Sequence, residues 1–458
     1  MQYLQNLGKI HGCGTHLAAN CWAVEDLGKP APITIALHAR APTGVYDAEM
    51  NKSNAAELRK NGTNGGLVLL GMIVGLLLLQ AILRVCVAVA LLTAPGIEGQ
   101  FGALVHWRIY DSVDGWVGVL LLAMAGASER SRRAEWIVLG AGLLGMIAAM
   151  MLGDVGGRAI VEIAVAAVLA LGAALMAGRQ LIGLSRAAGK IGLDLEQLWR
   201  GVALQWTLLW ITAELALRIK FWRDGVEAEP RARLILFLVP TVGVLPNVMM
   251  AMGVRWWNAL RGSPEKRPRV RAWLVSMGAV NVGALLAGAS VWRPALAIAG
   301  ATLMIAGIGL YFVGFPRGAW RAGGGGWLVM ASFATLVIGL GMMAADDAVQ
   351  RDFYSAAWRH LLSGAIVPWL IGIGMIAMQT MVSDRLRPHG AAIVSACMVL
   401  IGLFSAAGVF VAAVQDRSVV QGLFVGAVLQ LLGIIVGGAA LLRASRGRYA
   451  APVPSSGR

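Results

Sequence analysis

The chain is 458 residues long, 58% hydrophobic and only 14% charged, with a mean hydropathy of +0.70. No soluble domain of this size needs so much apolar sequence, and no ten-residue segments alternate as outer-membrane strands do, so the composition excludes both classes and leaves an all-α, polytopic membrane protein. The formal charge of +15 imitates a nucleic-acid binder, but the basic residues sit mainly in short loops on one side, as the positive-inside rule requires. The expected partner is therefore the lipid bilayer and not nucleic acid.

Residues 1–65 form a polar N-terminal extension with no hydrophobic run long enough to insert and no signal-peptide pattern. His11, Cys13, His16 and Cys21 have metal-ligand chemistry, but their spacing matches no standard zinc site. The extension reads as a cytoplasmic tail or as translation begun upstream of the true start, with Met50 a natural alternative. Cys86 and Cys397 lie in apolar segments, so the four cysteines suggest no disulfide framework.

Twelve apolar segments follow, at 66–93, 103–127, 135–153, 158–183, 198–219, 233–254, 273–291, 294–314, 327–345, 358–382, 391–415 and 421–443. Each is near the roughly 20 residues that cross a hydrocarbon core as a helix. Loops on one side carry Arg130, Arg132, Arg133, Arg186, Lys190, Arg261, Lys266, Arg267, Arg385 and Arg387, and the basic tail 445–458 adds Arg446 and Arg448. Opposite loops are poorer, except for the basic 218–233. The balance places both termini in the cytoplasm and the chain in the cytoplasmic (inner) membrane.

The spans repeat. Arg231–Pro240 reads RARLILFLVP and Arg359–Pro368 reads RHLLSGAIVP, sharing Arg at the start and Val-Pro at the end. With a period of about 127 residues, the membrane domain 66–444 divides into three four-helix units, about 66–190, 198–315 and 327–444. In this frame His106 and His360 occupy the same place in the first and third units, and Ala232 occupies it in the second. A two-half transporter would instead repeat every six helices.

Ionisable groups inside a span are costly and mark candidate sites. Arg84 and Asp111 fall at similar depth on the first two spans, either as a structural ion pair or with Arg84 as counter-charge for a bound acidic group. His106, Tyr110 and Asp114 share one helix face, as do His360, Ser363, Gly364 and Pro368. Both histidines fall near the outer ends of inward-running helices. Two neutral imidazoles at one depth suit a six-coordinate haem iron, and Arg108 and Arg359 stand beside them as partners for propionates. The plainer alternative is that each histidine only makes interhelical hydrogen bonds.

Twelve helices in three units, with histidines on the second and tenth, resemble subunit I of the haem-copper oxidases. The nearer resemblance is to the NnrS family, membrane proteins of that architecture linked to nitric oxide stress. It is carried by RHLLSGAIVPWLIGIGMIAMQTMVSDRLRP at 359–388 and LFLVPTVGVLPNVMMAMGVRWWNALRGSP at 236–264. The resemblance implies haem b held by His106 and His360, and a diatomic gas or redox partner. The family's copper ligands have no counterpart, since the sixth and seventh spans contain no histidine, and Leu361 and Leu362 stand where the oxidases carry a further one. Copper and a binuclear reducing centre are therefore not expected, and an enzyme is the less favoured reading. Two rivals from other classes stand beside this one: a transporter or small-molecule carrier using Arg84, Asp111 and Asp114, and a scaffold or assembly factor without a site.

Overall fold

The chain divides into two units, Met1–Asp47 and Ala48–Arg458. The computed structural model describes residues 158–190, 195–224, 230–260, 270–315, 324–349, 355–381, 394–402 and 417–446, with single positions of the first span between 75 and 89. All lie in the second unit. His106, Arg108, Arg84, Asp111, Asp114 and the N-terminal histidines and cysteines fall outside the described residues.

Among the described residues there is only helix and turn. We number the helices α1 (Arg158–Lys190), α2 (Leu195–Asp224), α3 (Pro230–Leu238), α4 (Leu245–Leu260), α5 (Val270–Ala289), α6 (Ala295–Val313), α7 (Gly324–Val349), α8 (Ser355–Gly364), α9 (Ile366–Met381), α10 (394–402) and α11 (Arg417–Arg446). Six stretches are long and apolar enough to cross a membrane, so the chain has the build of a multi-pass membrane protein. Large apolar side chains such as Leu171, Leu175, Val275 and Leu285 face outward, where lipid is as good a solvent as protein. On the first span the same division holds: Leu77, Ala81 and Ala88 are buried, while Ile82 and Val89 are exposed.

Several helices overrun the apolar segments that announce them. The α1 helix has 33 residues, a length of about 50 Å against a hydrocarbon core of about 30 Å. Apolar sequence marks where lipid ends. The helix continues because its backbone hydrogen bonds remain satisfied after its side chains turn polar.

The span Leu234–Val254 is 83% buried, while the other five are at most 50% buried. It is the central helix of the bundle, apolar all round because protein surrounds it. It is also not one α-helix. Val239–Val244 is a π-helical turn between α3 and α4. Pro240 and Pro246 bracket it. Each proline lacks an N–H, and its ring clashes with the carbonyl four residues earlier in a straight helix. A wider turn relieves the clash. The Leu245 N–H then donates to the Pro240 carbonyl, and Thr241 Oγ1 donates to the Phe237 carbonyl at 2.7 Å.

The second copy of the Arg…Val-Pro frame is broken too. The expected span 358–382 is two helices, α8 and α9, separated by a turn at Ala365. Pro368 explains this: its ring opposes the carbonyl of Gly364, and the helix yields there. Ser332 on α7 donates its hydroxyl to the Ala365 carbonyl, so the break is held from outside. The α8 helix touches the π-helical turn, and α9 packs along α4. The two interrupted helices are neighbours.

Two hairpins are closed by matching contacts. In α5–α6, Ser276 donates to the Gly307 carbonyl at 2.6 Å, and a Cβ on Gly283 would lie 2.7 Å from the Gly300 carbonyl oxygen and 2.6 Å from Met304 Cγ. In α10–α11, Ser395 donates to the Gly433 carbonyl at 2.7 Å, and a Cβ on Gly402 would lie 2.6 Å from the Gly426 carbonyl oxygen and 2.8 Å from Gln430 Cγ. Small residues let the backbones meet, and dispersion and serine hydrogen bonds supply the attraction that a hydrophobic effect cannot supply in lipid.

Candidate functional site

His360 sits on α8, one helical turn and a half before the Ala365 break. It is 3% exposed. Leu361, Leu362, Ala365 and Ile366 around it are buried as well. Leu362 lies against Gly339 of α7, where a Cβ would stand 3.0 Å from Leu362 Cδ2. Ser363, which sequence analysis places beside a flat ring, instead donates its hydroxyl to the His360 carbonyl at 3.3 Å.

The imidazole faces α11. Its Nε2 is 3.4 Å from Nε2 of Gln430, a residue 2% exposed. With the amide nitrogen toward the ring, the amide donates and the ring nitrogen accepts, so the ring proton belongs on Nδ1. Arg359, half-buried, turns toward α3. Its guanidinium carbon lies 5.1 Å from the Trp358 ring centroid and 6.0 Å from that of Phe237, within cation–π range. Those two rings meet edge to face at 6.0 Å. Trp358 in turn donates Nε1–H to Asp346 Oδ2 on α7 at 3.1 Å. Imidazole, amide, guanidinium, indole and carboxylate thus gather where α3, α7, α8 and α11 meet.

A second polar cluster lies beside the π-helical turn. Trp206 on α2 donates Nε1–H to Asn281 Oδ1 on α5 at 2.7 Å. Asn281 and Asn247 exchange amide hydrogen bonds at 2.9 and 3.0 Å. Asn247 also donates to the Gly243 carbonyl at 2.6 Å, and Asn281 to the Met277 carbonyl at 2.8 Å. Both amides have their donors and acceptors engaged, so the cluster clamps α2, α4 and α5 together and offers nothing to a ligand. Gly243 is required there, because a Cβ would stand 2.5 Å from the Trp206 ring.

Of the residues that sequence analysis proposes for haem, His360 and Arg359 come together; His106, Arg108 and Arg84 lie outside the described residues. The donor chemistry at His360 fits a haem iron, since an unprotonated imidazole nitrogen points into the bundle. The space is held by Gln430. A metal–imidazole bond is about 2 Å long, well inside the 3.4 Å between ring and amide. The group fits only with Gln430 displaced. Among the described residues no cluster of three or more His, Cys, Asp or Glu could hold a metal ion.

Asp346, Gln430, Asn247 and Asn281 are the polar residues that sequence analysis passes over. It weighs ionisable groups within spans and leaves uncharged amides aside, and it ends the ninth span just before Asp346. An amide in mid-span was the available signal. In comparisons with known proteins, no family model matches this sequence and no curated protein matches it.

Proposed function

We propose that this chain is a multi-pass protein of the cytoplasmic membrane, built like the NnrS proteins from three four-helix units, that binds haem b. In this reading His106 and His360 supply the axial nitrogens, and Arg359, Arg108 and Arg84 answer the propionate charge. The haem would supply one-electron chemistry. Two histidine ligands leave no open iron position, which favours electron transfer with a redox partner in a nitrosative-stress or respiratory setting over gas reduction. One observation carries the reading: a buried imidazole turns an accepting nitrogen into the bundle, beside an arginine. The matched closure of the two hairpins supports the repeated architecture. The test is the visible spectrum of the purified full-length protein. A Soret band lost in both His106→Ala and His360→Ala is the expected result. No band, or a band indifferent to both changes, overturns the proposal.

A specific observation also favours the carrier reading. The two copies of the Arg…Val-Pro frame are both interrupted at their prolines and lie side by side. Paired interruptions in corresponding segments are where transporters place their binding sites. Here Arg84, Asp111 and Asp114 would line the pathway. This reading predicts protein that purifies without haem and a cellular uptake function lost in Arg84→Ala; haem at one per chain would rule it out.

A further inference from the structure

The two hairpins match closely enough to be compared residue by residue. Ser276 corresponds to Ser395, Gly307 to Gly433, Gly283 to Gly402 and Gly300 to Gly426, each pair making the same contact. Under Gly283 lies the Cγ of Met304, and under Gly402 lies the Cγ of Gln430. Methionine and glutamine have nearly the same length, so the packing role at this position needs only an unbranched chain. Met304 fills it with no polar group and is fully buried. The amide of Gln430 is therefore surplus to hairpin packing. Burying an amide costs free energy unless it finds hydrogen bonds, and the ring of His360 is where this one turns.

We propose that Gln430 is a positioning residue for His360. Its amide holds the ring in the Nδ1–H tautomer and covers the Nε2 lone pair until an incoming metal centre displaces it. The identity of that centre as haem iron rests on the reading above; the tautomer role does not. Every tautomer is neutral, so no proton is gained or lost. When a metal centre arrives, the Gln430 N–H···Nε2 contact breaks and the lone pair forms the new bond.

The experiment uses full-length, haem-free protein carrying ¹⁵N-labelled histidine, in lipid nanodiscs. The six histidines are separated by the one signal missing in His360→Asn. The expected result is a single neutral tautomer for His360 with the proton on Nδ1, and a mixture of tautomers in Gln430→Met, which keeps the packing seen at Met304. A proton on Nε2 in the unaltered protein, or an unchanged single tautomer in Gln430→Met, overturns the proposal. Hemin titration of the same samples reads the covering role: uptake is expected to be several-fold faster in Gln430→Met, and equal rates would refute it. If neither protein takes up hemin while the tautomer responds to Gln430→Met, the positioning role stands and the haem reading fails. Should Gln430→Met not fold, the tautomer of the unaltered protein decides the matter alone.

Discussion

Replacing Asn281 by leucine tests the clamp at the π-helical turn. The change keeps side-chain volume and removes three interhelical hydrogen bonds: one from Trp206 and the reciprocal pair with Asn247. The bond to Met277 lies within α5 and goes too. Interhelical hydrogen bonds in membranes average about 0.6 kcal/mol each and reach about 1.7 kcal/mol. Three of them give an expected loss of about 2 kcal/mol. Asn247→Leu removes two of the same three bonds, and so is expected to cost slightly less. The Asn247→Leu/Asn281→Leu pair should cost less than the two changes summed, because each single change strands the amide that the other removes. A coupling of about 1 kcal/mol is expected for residues in one network. The assay is reversible unfolding in mixed micelles on titration with a denaturing detergent, followed by tryptophan fluorescence. Single losses below about 0.5 kcal/mol, or strictly additive changes, would refute the account of the cluster as a clamp.

Two further changes probe the rest of the fold. Gly283→Ala places a methyl 2.7 Å from the Gly300 carbonyl oxygen, an overpacking expected to cost about 1–3 kcal/mol. Gly278→Ala on the same helix meets nothing within 4 Å and should be neutral or stabilising by about 0.5–1 kcal/mol; thermal denaturation in detergent would separate them, and equal midpoints would count against the close-packed hairpin. Trp358→Phe keeps the ring stacked on Phe237 but takes the Nε1–H donor from buried Asp346, at an expected cost of about 1–3 kcal/mol. Asp346→Asn retains an acceptor for Trp358 and should cost less, as measured in the same unfolding assay.

Much of the architecture is legible in the chain itself. Helical spans of about 20 apolar residues leave few alternatives in a bilayer, where each backbone group must be satisfied within its own segment. Their number, order and sidedness therefore follow from composition and loop charge alone. His360 is legible too, because a histidine in an apolar span is costly and stands out. Its partner is not. Gln430 lies far along the chain, and nothing in its local sequence distinguishes it from Met304, which fills the equivalent place as an apolar plug. The same holds for Asn247 and Asn281, whose pairing depends on how α4 and α5 cross.

The proline interruptions divide the two kinds of information most clearly. Pro240 and Pro368 are visible as prolines, and each guarantees that the helix cannot run on undisturbed. Whether the disturbance becomes a π-helical turn or a break depends on what lies outside the helix. The first is closed by Thr241 within the helix and supported by Trp206 against Gly243. The second is held by Ser332 from α7. Sequence determined the membrane-spanning helices and the strained positions, because those depend on local hydrophobicity and backbone chemistry. Only tertiary structure decided that His360 meets Gln430 and that the two broken helices stand together, because those depend on which faces pack.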